Sequence, residues 1–191
     1  QYIYFPLHYQ PEATSNPMGG DMYADQILAL NILSQALPKH MKIYVKSHPE
    51  QLALMITKEY YKDMARIPRV HLMKKECSTF DLMKNAVAVS TLTGTAIWEC
   101  QFFGIPAIVF GYSLKNPAPL SYPVRTVEDC KKAIGKILDK GVEDKTRELK
   151  IYTKAMHNIS FPIEEREKVL PGLISNFIAG KDNVLEGIEH C

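Results

Sequence analysis

The sequence has 191 residues, of which 46% are hydrophobic and 23% charged, a balance typical of a globular chain with a sizeable core. Its 23 Lys and Arg residues nearly balance its 21 Asp and Glu residues, and the net charge of +2 is not gathered into the basic cluster of a nucleic-acid-binding protein. No apolar run approaches the ~20 residues that span a bilayer. We therefore expect no nucleic-acid partner and at most peripheral association with a membrane.

Strand-like runs alternate with helical patterns from the first residues onward. Five runs rich in β-branched and aromatic residues predict strands: residues 2–7, 42–46, 69–73, 86–90 and 107–111. Apolar residues at helical spacing predict a helix in each gap: residues 25–37, 49–64, 78–85 and 95–103. This alternation favours a parallel sheet covered on both sides, the doubly wound α/β architecture.

Local signals mark where several of these helices begin and end. Pro38 ends the first helix, and Pro49 is well suited to the first position of the second. Ser78 and Asp81 have capping-box spacing at the start of the third. The fourth has a predicted apolar face that consists of Ala96, Ile97, Cys100 and Phe103.

Beyond Tyr122 the pattern becomes helical. Thr126 is the predicted cap of a helix over residues 127–140, a second helix is predicted over about residues 143–156, and a third after Pro162. The chain starts at Gln1 within a strand-like run, so we expect it to be a piece of a longer protein. Its cysteines form neither a CxxC pair nor a Cys/His cluster, which favours a reduced, intracellular protein.

The unusual polar segments all follow predicted strands. They are HYQPE after the first strand, SHPE after the second, STLTGT after the fourth and GYSLKNP after the fifth. Ligands of doubly wound sheets bind beyond the carboxyl ends of the strands. We therefore expect these segments to form one binding site.

The segment STLTGTAIWE is a candidate phosphate site. Backbone N–H groups at a helix N-terminus and the hydroxyls of Thr91, Thr93 and Thr95 suit phosphate oxygens, and Gly94 allows close approach. Glu99, about one turn into the helix, can accept hydrogen bonds from a ribose diol. The alternative is an ordinary helix start capped by Thr93 or Thr95, with Glu99 a solvated residue.

Two further segments contain candidate catalytic side chains. His48 follows the second strand, where it can donate to a phosphate and neutralise charge on a leaving group, and Lys46 lies on the same side of that strand. Gln10 and Glu12 follow the first strand on either side of Pro11, with Glu12 a candidate general base. A capping histidine and a surface glutamate are the alternatives, and the remaining histidines, His8 included, are interpreted as structural or exposed.

Several common ligand motifs are absent from the sequence. There is no HxH, HExxH or DxD spacing, no GxxxxGK[ST] loop and no GxGxxG after the first strand. These absences argue against a metal site, a P-loop NTPase and a dehydrogenase. A phosphate-bearing ligand, with no cofactor and no obligatory metal, is the remaining interpretation.

Four segments resemble a known family: YFPLHYQPEAT, LPKHMKIYVKSHPEQ, TLTGTAIWEC and FGIPAIVFGY. They are similar to the C-terminal half of bacterial capsule polysaccharide biosynthesis proteins, the group that contains the Kdo transferases of capsule export. Those proteins carry QP and HP motifs, here Gln10-Pro11 and His48-Pro49. The resemblance covers about residues 2–112.

The resemblance implies a GT-B glycosyltransferase with two Rossmann-like domains, of which this chain is the donor-binding one. His48 and the loop from Thr93 to Thr95 would bind the nucleotide phosphate, Glu99 the ribose or base, and CMP-Kdo is the default donor. Residues 1–125 would form the nucleotide-sugar-binding domain, and residues 126–191 would be helices packed on it. A missing N-terminal domain would supply the acceptor site.

The implied function is transfer of a sugar to a growing surface or capsular polysaccharide, with a saccharide or glycolipid acceptor. The implied location is the cytoplasm, either free or at the inner face of the membrane. Two alternatives stay open: a nucleotide-sugar epimerase or CDP-alcohol phosphotransferase with a GT-B-like sheet, and a non-catalytic nucleotide-binding or scaffolding domain.

Overall fold

The computed structural model describes residues 1–10, 23, 25–52, 56–112, 117–140 and 144–159. The chain divides into two compact units, residues 1–149 and 150–191. The fold below is that of the first unit. In the second unit, residues 150–159 are described and are helical.

The first unit contains a six-stranded, fully parallel sheet with the strand order β3-β2-β1-β4-β5-β6. The strands are β1 (Tyr2–Pro6), β2 (Lys42–Lys46), β3 (Val70–Leu72), β4 (Ala88–Thr91), β5 (Ala107–Val109) and β6 (Ser121–Pro123). The order is that of a Rossmann-like doubly wound sheet. Successive strands are added outward from β1 to β3 on one side, and from β4 to β6 on the other, so the switch point lies between β1 and β4. The predicted fold class is confirmed.

The helices are α1 (Gln26–Ala36), α2 (Lys58–Arg66), α3 (Thr79–Lys84), α4 (Ala96–Glu99), α5 (Val127–Lys140) and α6 (Thr146–Ile159). Several begin as the sequence predicts. The Ser78 side chain accepts a hydrogen bond from the Asp81 N–H at the start of α3. At the start of α5, the Asp129 N–H donates to the Thr126 hydroxyl, and the Asp129 carboxylate accepts from the Thr126 N–H.

Two apolar clusters cover the two faces of the sheet. The larger contains Phe5 and Ile43 from the strands and Leu30, Leu33 and Ile134 from α1 and α5. The smaller lies under α3 and α4 and consists of Tyr4, Met83, Ala86, Val89, Ala96, Ile97, Cys100, Ile105, Ala107 and Val109. Alternate residues of each central strand therefore serve opposite faces.

Two sequence predictions are wrong in detail, and one strand is missed. The second helix begins at Lys58, with Thr57 as its cap, and not at Pro49. The strand β6 was not predicted, because three residues that include a proline at a sheet edge give little sequence signal. Phe103 does not belong to a buried helix face, since it lies in a 3₁₀ turn after α4 and its side chain is exposed.

The predicted division at residues 125 and 126 stays a prediction. Helix α5 contributes Cys130, Ala133, Ile134 and Ile137 to the larger apolar cluster of the sheet. The predicted helix after Pro162 lies outside the described residues. None of the helices in the described part of the chain is long and apolar enough to cross a membrane.

Candidate functional site

A cleft of about 380 Å³ lies at the carboxyl edge of the sheet, at the switch point between β1 and β4. Residues after β1, β2 and β4 line it. They are Leu7, His8 and Tyr9, then Ser47, His48 and Pro49, then Thr93, Gly94 and Thr95. Tyr4, Pro6, Thr79, Thr91, Ala96 and Glu99 complete its wall. The loops after β1, β2 and β4 thus lie together, as the sequence predicts.

The loop from Thr91 to Thr95 forms one wall of the cleft. The Thr91 and Thr93 side chains are buried, and the backbone N–H groups of Gly94 and Thr95 donate to no other described residue. Thr95 makes no side-chain capping bond to α4, so the ordinary-cap alternative is not observed at this residue. Because α4 has only four residues, its dipole contributes little, and the groups that suit an anion are the N–H groups of Gly94 and Thr95 and the Thr95 hydroxyl.

His8 holds this loop in place. Its Nε2 lies 3.1 Å from the Thr91 hydroxyl and accepts a hydrogen bond from the Thr93 N–H at 3.3 Å. A Cβ atom at Gly94 would lie 3.4 Å from the His8 ring, so the glycine allows the loop to pack against the imidazole. The sequence analysis assigned His8 no site role, although it follows β1 in the same way that His48 follows β2.

His48 lies on the opposite side of the cleft, in a turn and not at a helix start. The Gln51 N–H donates to the His48 carbonyl, and the Glu50 N–H donates to its Nδ1 at 3.2 Å. Because Nδ1 accepts this bond, a neutral ring carries its proton on Nε2. The Tyr9 ring contacts the imidazole edge-on, with centroids 5.9 Å apart.

A pair of glutamines joins the loops after β1 and β2. The Gln10 N–H donates to the Gln51 side chain at 2.8 Å, and the Gln51 amide donates back to the Gln10 carbonyl at 3.0 Å. Gln10 thus braces the cleft without lining it. Sequence reasoning missed Gln51, because nothing local indicates a contact between residues 41 positions apart. Pro11 and Glu12 lie outside the described residues.

Lys46 is buried beneath the cleft and does not line it. Its Nζ donates to the hydroxyl of Thr79, which lines the cleft, at 3.0 Å. Tyr4 lies next to this pair. Burial raises the pKa of Tyr4 to about 12, while hydrogen bonding from Thr79 opposes the shift and Glu99 adds to it. The phenol is therefore a neutral hydrogen-bond donor at physiological pH.

The sequence also predicts that the segment after β5 joins the site. Gly111 and Tyr112 do not line it, and residues 113–116 lie outside the described part of the chain. Gly111 supports the loop from behind instead. A Cβ atom there would lie 2.5 Å from the Thr93 side chain and 2.9 Å from the Leu92 carbonyl.

The two buried cysteines, Cys100 and Cys130, show no nucleophilic character. Burial raises the pKa of Cys100, and raises that of Cys130 to about 12, so both remain protonated thiols. Within residues for which the structure gives positions, no group of three or more His, Cys, Asp or Glu side chains is arranged to hold a metal ion.

Comparison with known proteins shows similarity of fold. Neither a family model nor a curated protein matches the sequence. Among solved structures, the UDP-GlcNAc 2-epimerase of Methanocaldococcus jannaschii in complex with UDP-GlcNAc and UDP has a TM-score of 0.55 at 14% identity, over 82% of this chain and 45% of that one. Another structure of that epimerase gives 0.52 at 17% identity, over 75% and 40%.

A β-Kdo 2,7 transferase, KpsC of Thermosulfurimonas dismutans, has a TM-score of 0.51 at 16% identity, over 69% of this chain and 43% of that one. The chain thus spans less than half the length of each of these three structures. Their shared Rossmann-like fold is that of one half of a GT-B enzyme. Both a transferase and an epimerase use it, so the fold alone does not choose between them.

Proposed function

We propose that the chain is the nucleotide-sugar-binding domain of a glycosyltransferase, with CMP-Kdo as its donor and a surface or capsular polysaccharide as its product. The observation that carries the proposal is the cleft at the carboxyl edge of the sheet, where Thr95, Gly94 and His48 face a common space. The resemblance of the QP and HP segments to the capsule proteins supports the choice of donor.

The proposed mechanism assigns the leaving phosphate to groups that are already in position. The N–H groups of Gly94 and Thr95 and the Thr95 hydroxyl would bind its oxygens, and His48 would donate a further hydrogen bond or a proton as charge develops. Donors fixed before reaction need no reorganisation in the transition state. This arrangement is how such a site would favour cleavage of the bond between sugar and phosphate.

The remaining roles concern the rest of the ligand and the acceptor. Glu99 would accept hydrogen bonds from the ribose or base, and Gln10 would fix the loop after β1. Glu12 is the candidate general base. The acceptor, a saccharide or glycolipid, would bind between this domain and an N-terminal one, so the isolated chain should bind nucleotide and turn over slowly.

Calorimetric titration with CMP, CDP and UMP tests the proposal. We expect cytidine nucleotides to bind more tightly than UMP, and His48→Ala and Thr95→Ala each to weaken binding about 10-fold, the loss of one charge-assisted hydrogen bond. His40→Ala is the matched control, since His40 is exposed and bonds only to Gln1 among described residues.

Two results would contradict the proposal. Equal affinity for CMP and UMP would contradict CMP-Kdo as the donor, while the assignment as a nucleotide-binding domain would stand. No binding of any nucleotide would favour the scaffolding alternative, in which the motifs serve only as caps and turns.

The epimerase is the second candidate, and the similarity of fold to the M. jannaschii enzyme favours it. Product analysis with UDP-GlcNAc and with CMP-, UDP- and CDP-linked donors, in a preparation that contains the whole protein, separates the activities. Inversion at a sugar carbon without an acceptor would indicate an epimerase. Release of free nucleotide only when a saccharide acceptor is present would indicate a transferase.

A further inference from the structure

Lys46 is a buried cation without a counter-ion among the described residues. Its side chain is 3% exposed, and its one described partner is the neutral hydroxyl of Thr79. A buried ammonium group with three donors and a single neutral acceptor loses much of its hydration without replacing it. Such a group indicates that a negative charge approaches it in some state of the protein.

The position of Lys46 shows where that charge would arrive. Lys46 pairs in register with Pro6, and Tyr4 precedes Pro6 by two residues, so the three side chains project from the same face of the sheet. Thr79, at the start of α3, and Tyr4 both line the cleft above Lys46. We name Tyr4, Lys46 and Thr79 the anion corner.

The hydrogen-bonding groups of the anion corner favour a ligand that accepts hydrogen bonds and carries negative charge. Lysine can only donate, so the Thr79 oxygen accepts from Lys46, and the Thr79 proton is the one that hydrogen bonds to Tyr4. Tyr4 is a second neutral donor on the same wall. Among the described residues that line the cleft, Glu99 is the one carboxylate, and its charge opposes an anion that Lys46 attracts.

We propose that the anion corner binds an oxyanion of the ligand, with Tyr4 donating a hydrogen bond to it, Thr79 turning its proton from Tyr4 to the ligand, and Lys46 acting as a positioning residue that supplies the compensating charge. This inference rests on the proposed function and adds a subsite to it. A second phosphate and a sugar carboxylate both have the required chemistry.

The experiment compares charged and uncharged ligands on Lys46→Met, Thr79→Val and Tyr4→Phe. Cytidine, CMP, CDP, CMP-N-acetylneuraminate and pyrophosphate are titrated by calorimetry into each variant. Lys42→Met is the matched control, because Lys42 begins the same strand and is exposed at the opposite edge of the sheet. Circular dichroism and thermal unfolding identify variants that keep the native fold.

We expect Lys46→Met to lower affinity for at least one anionic ligand about 10-fold and to leave cytidine affinity unchanged. A role limited to holding the fold would lower affinity for cytidine by the same factor. A loss confined to CDP and pyrophosphate assigns a second phosphate to the corner, and a loss confined to CMP-N-acetylneuraminate assigns the sugar carboxylate. A loss of affinity for CMP as well as for the larger ligands assigns the first phosphate to the corner.

The outcomes separate this inference from the proposed function. Nucleotide binding that none of the three variants changes would overturn the anion corner and leave the function in place. Pyrophosphate binding that depends on Thr79, without binding of any nucleotide or nucleotide sugar, would support the corner and overturn the function. If the unaltered chain binds none of these ligands, both proposals are wrong.

Discussion

The two faces of the sheet differ in the helices that cover them and in what those helices contain. On one face, α1 and α5 have 11 and 14 residues and carry the larger apolar cluster. On the other, α3 and α4 have six and four residues, and their first turns lie beside the cleft with Thr79 and Thr95. Long helices bury apolar area, whereas short helices bring loops and N–H groups close to the strand ends. The comparison indicates that one face stabilises the domain and the other shapes the cleft.

Removing a large side chain from the stabilising face should give the largest effect. Leu33 is fully buried between α1 and the sheet, so Leu33→Ala should lower the free energy of unfolding by about 2–5 kcal/mol through lost burial and a residual cavity. Nucleotide affinity should not change while the variant stays folded. Leu138→Ala, at a position 38% exposed on α5, is the control and should cost much less. Urea unfolding gives both values, and a large loss of affinity in Leu33→Ala would contradict the separation of faces.

A backbone clash behind the cleft should affect both stability and binding. In Gly111→Ala the new Cβ would meet the Thr93 side chain and the Leu92 carbonyl, so the Thr91 to Thr95 loop must move. We expect a loss of about 1–3 kcal/mol in unfolding free energy, together with weaker nucleotide binding.

Gly135→Ala is the matched control for that change, because nothing lies within 4 Å of a Cβ at Gly135 and the residue is inside α5. Alanine should raise stability there by about 0.5–1 kcal/mol and leave binding unchanged. If the two alanine variants have the same nucleotide affinity, Gly111 does not position the loop.

The smallest expected effect concerns pH. Hydrogen bonds from the Thr126 side chain and from the Arg125 N–H hold the pKa of Asp129 below its ordinary 3.8. Because this pKa is lower in the folded state, the stabilisation is present above about pH 4 and is lost as the pH falls through the folded value. The difference in Tm between the native chain and Asp129→Asn should therefore shrink in acid, and nucleotide affinity should not follow it. In a Thr126→Val background the pH dependence should weaken, and an unchanged dependence would exclude this cap as its source.

The sequence predicts those features of the fold that depend on local patterns. Ser78 and Thr126 cap the helices that their positions predict, with hydrogen bonds to the following N–H groups. The helical or alternating spacing of apolar residues predicts which side chains of α1 and of the central strands are buried. Such signals need no knowledge of the tertiary structure.

The errors occur where long-range contacts decide the structure. Leu52 fits the helical spacing that leads to Met64, yet its side chain is 54% exposed, and Thr57 starts the helix later. Residues 48–51 form a turn instead, and the Gln10 to Gln51 bonds connect that turn to the loop after β1. A contact between distant loops leaves no periodic signal in either segment.

Within the candidate site, the sequence predicts that the loops after β1, β2 and β4 meet, and all three line the cleft. It does not predict which contacts their side chains make. His48, Thr93 and Thr95 line the cleft, whereas Lys46 does not line it and donates a hydrogen bond to Thr79, which does. His8 was overlooked because a single histidine after a strand has no sequence pattern that distinguishes a loop anchor from a surface residue.

Amide chemical shifts measured by NMR during titration with CMP test the central claim most directly, that loops at one edge of the sheet together bind an anionic nucleotide. We predict saturable shifts at His8, Ser47, Gly94 and Thr95, with little change along α1 and α5. Shifts that concentrate on α1 and α5, or no saturable shift at millimolar CMP, would contradict the account.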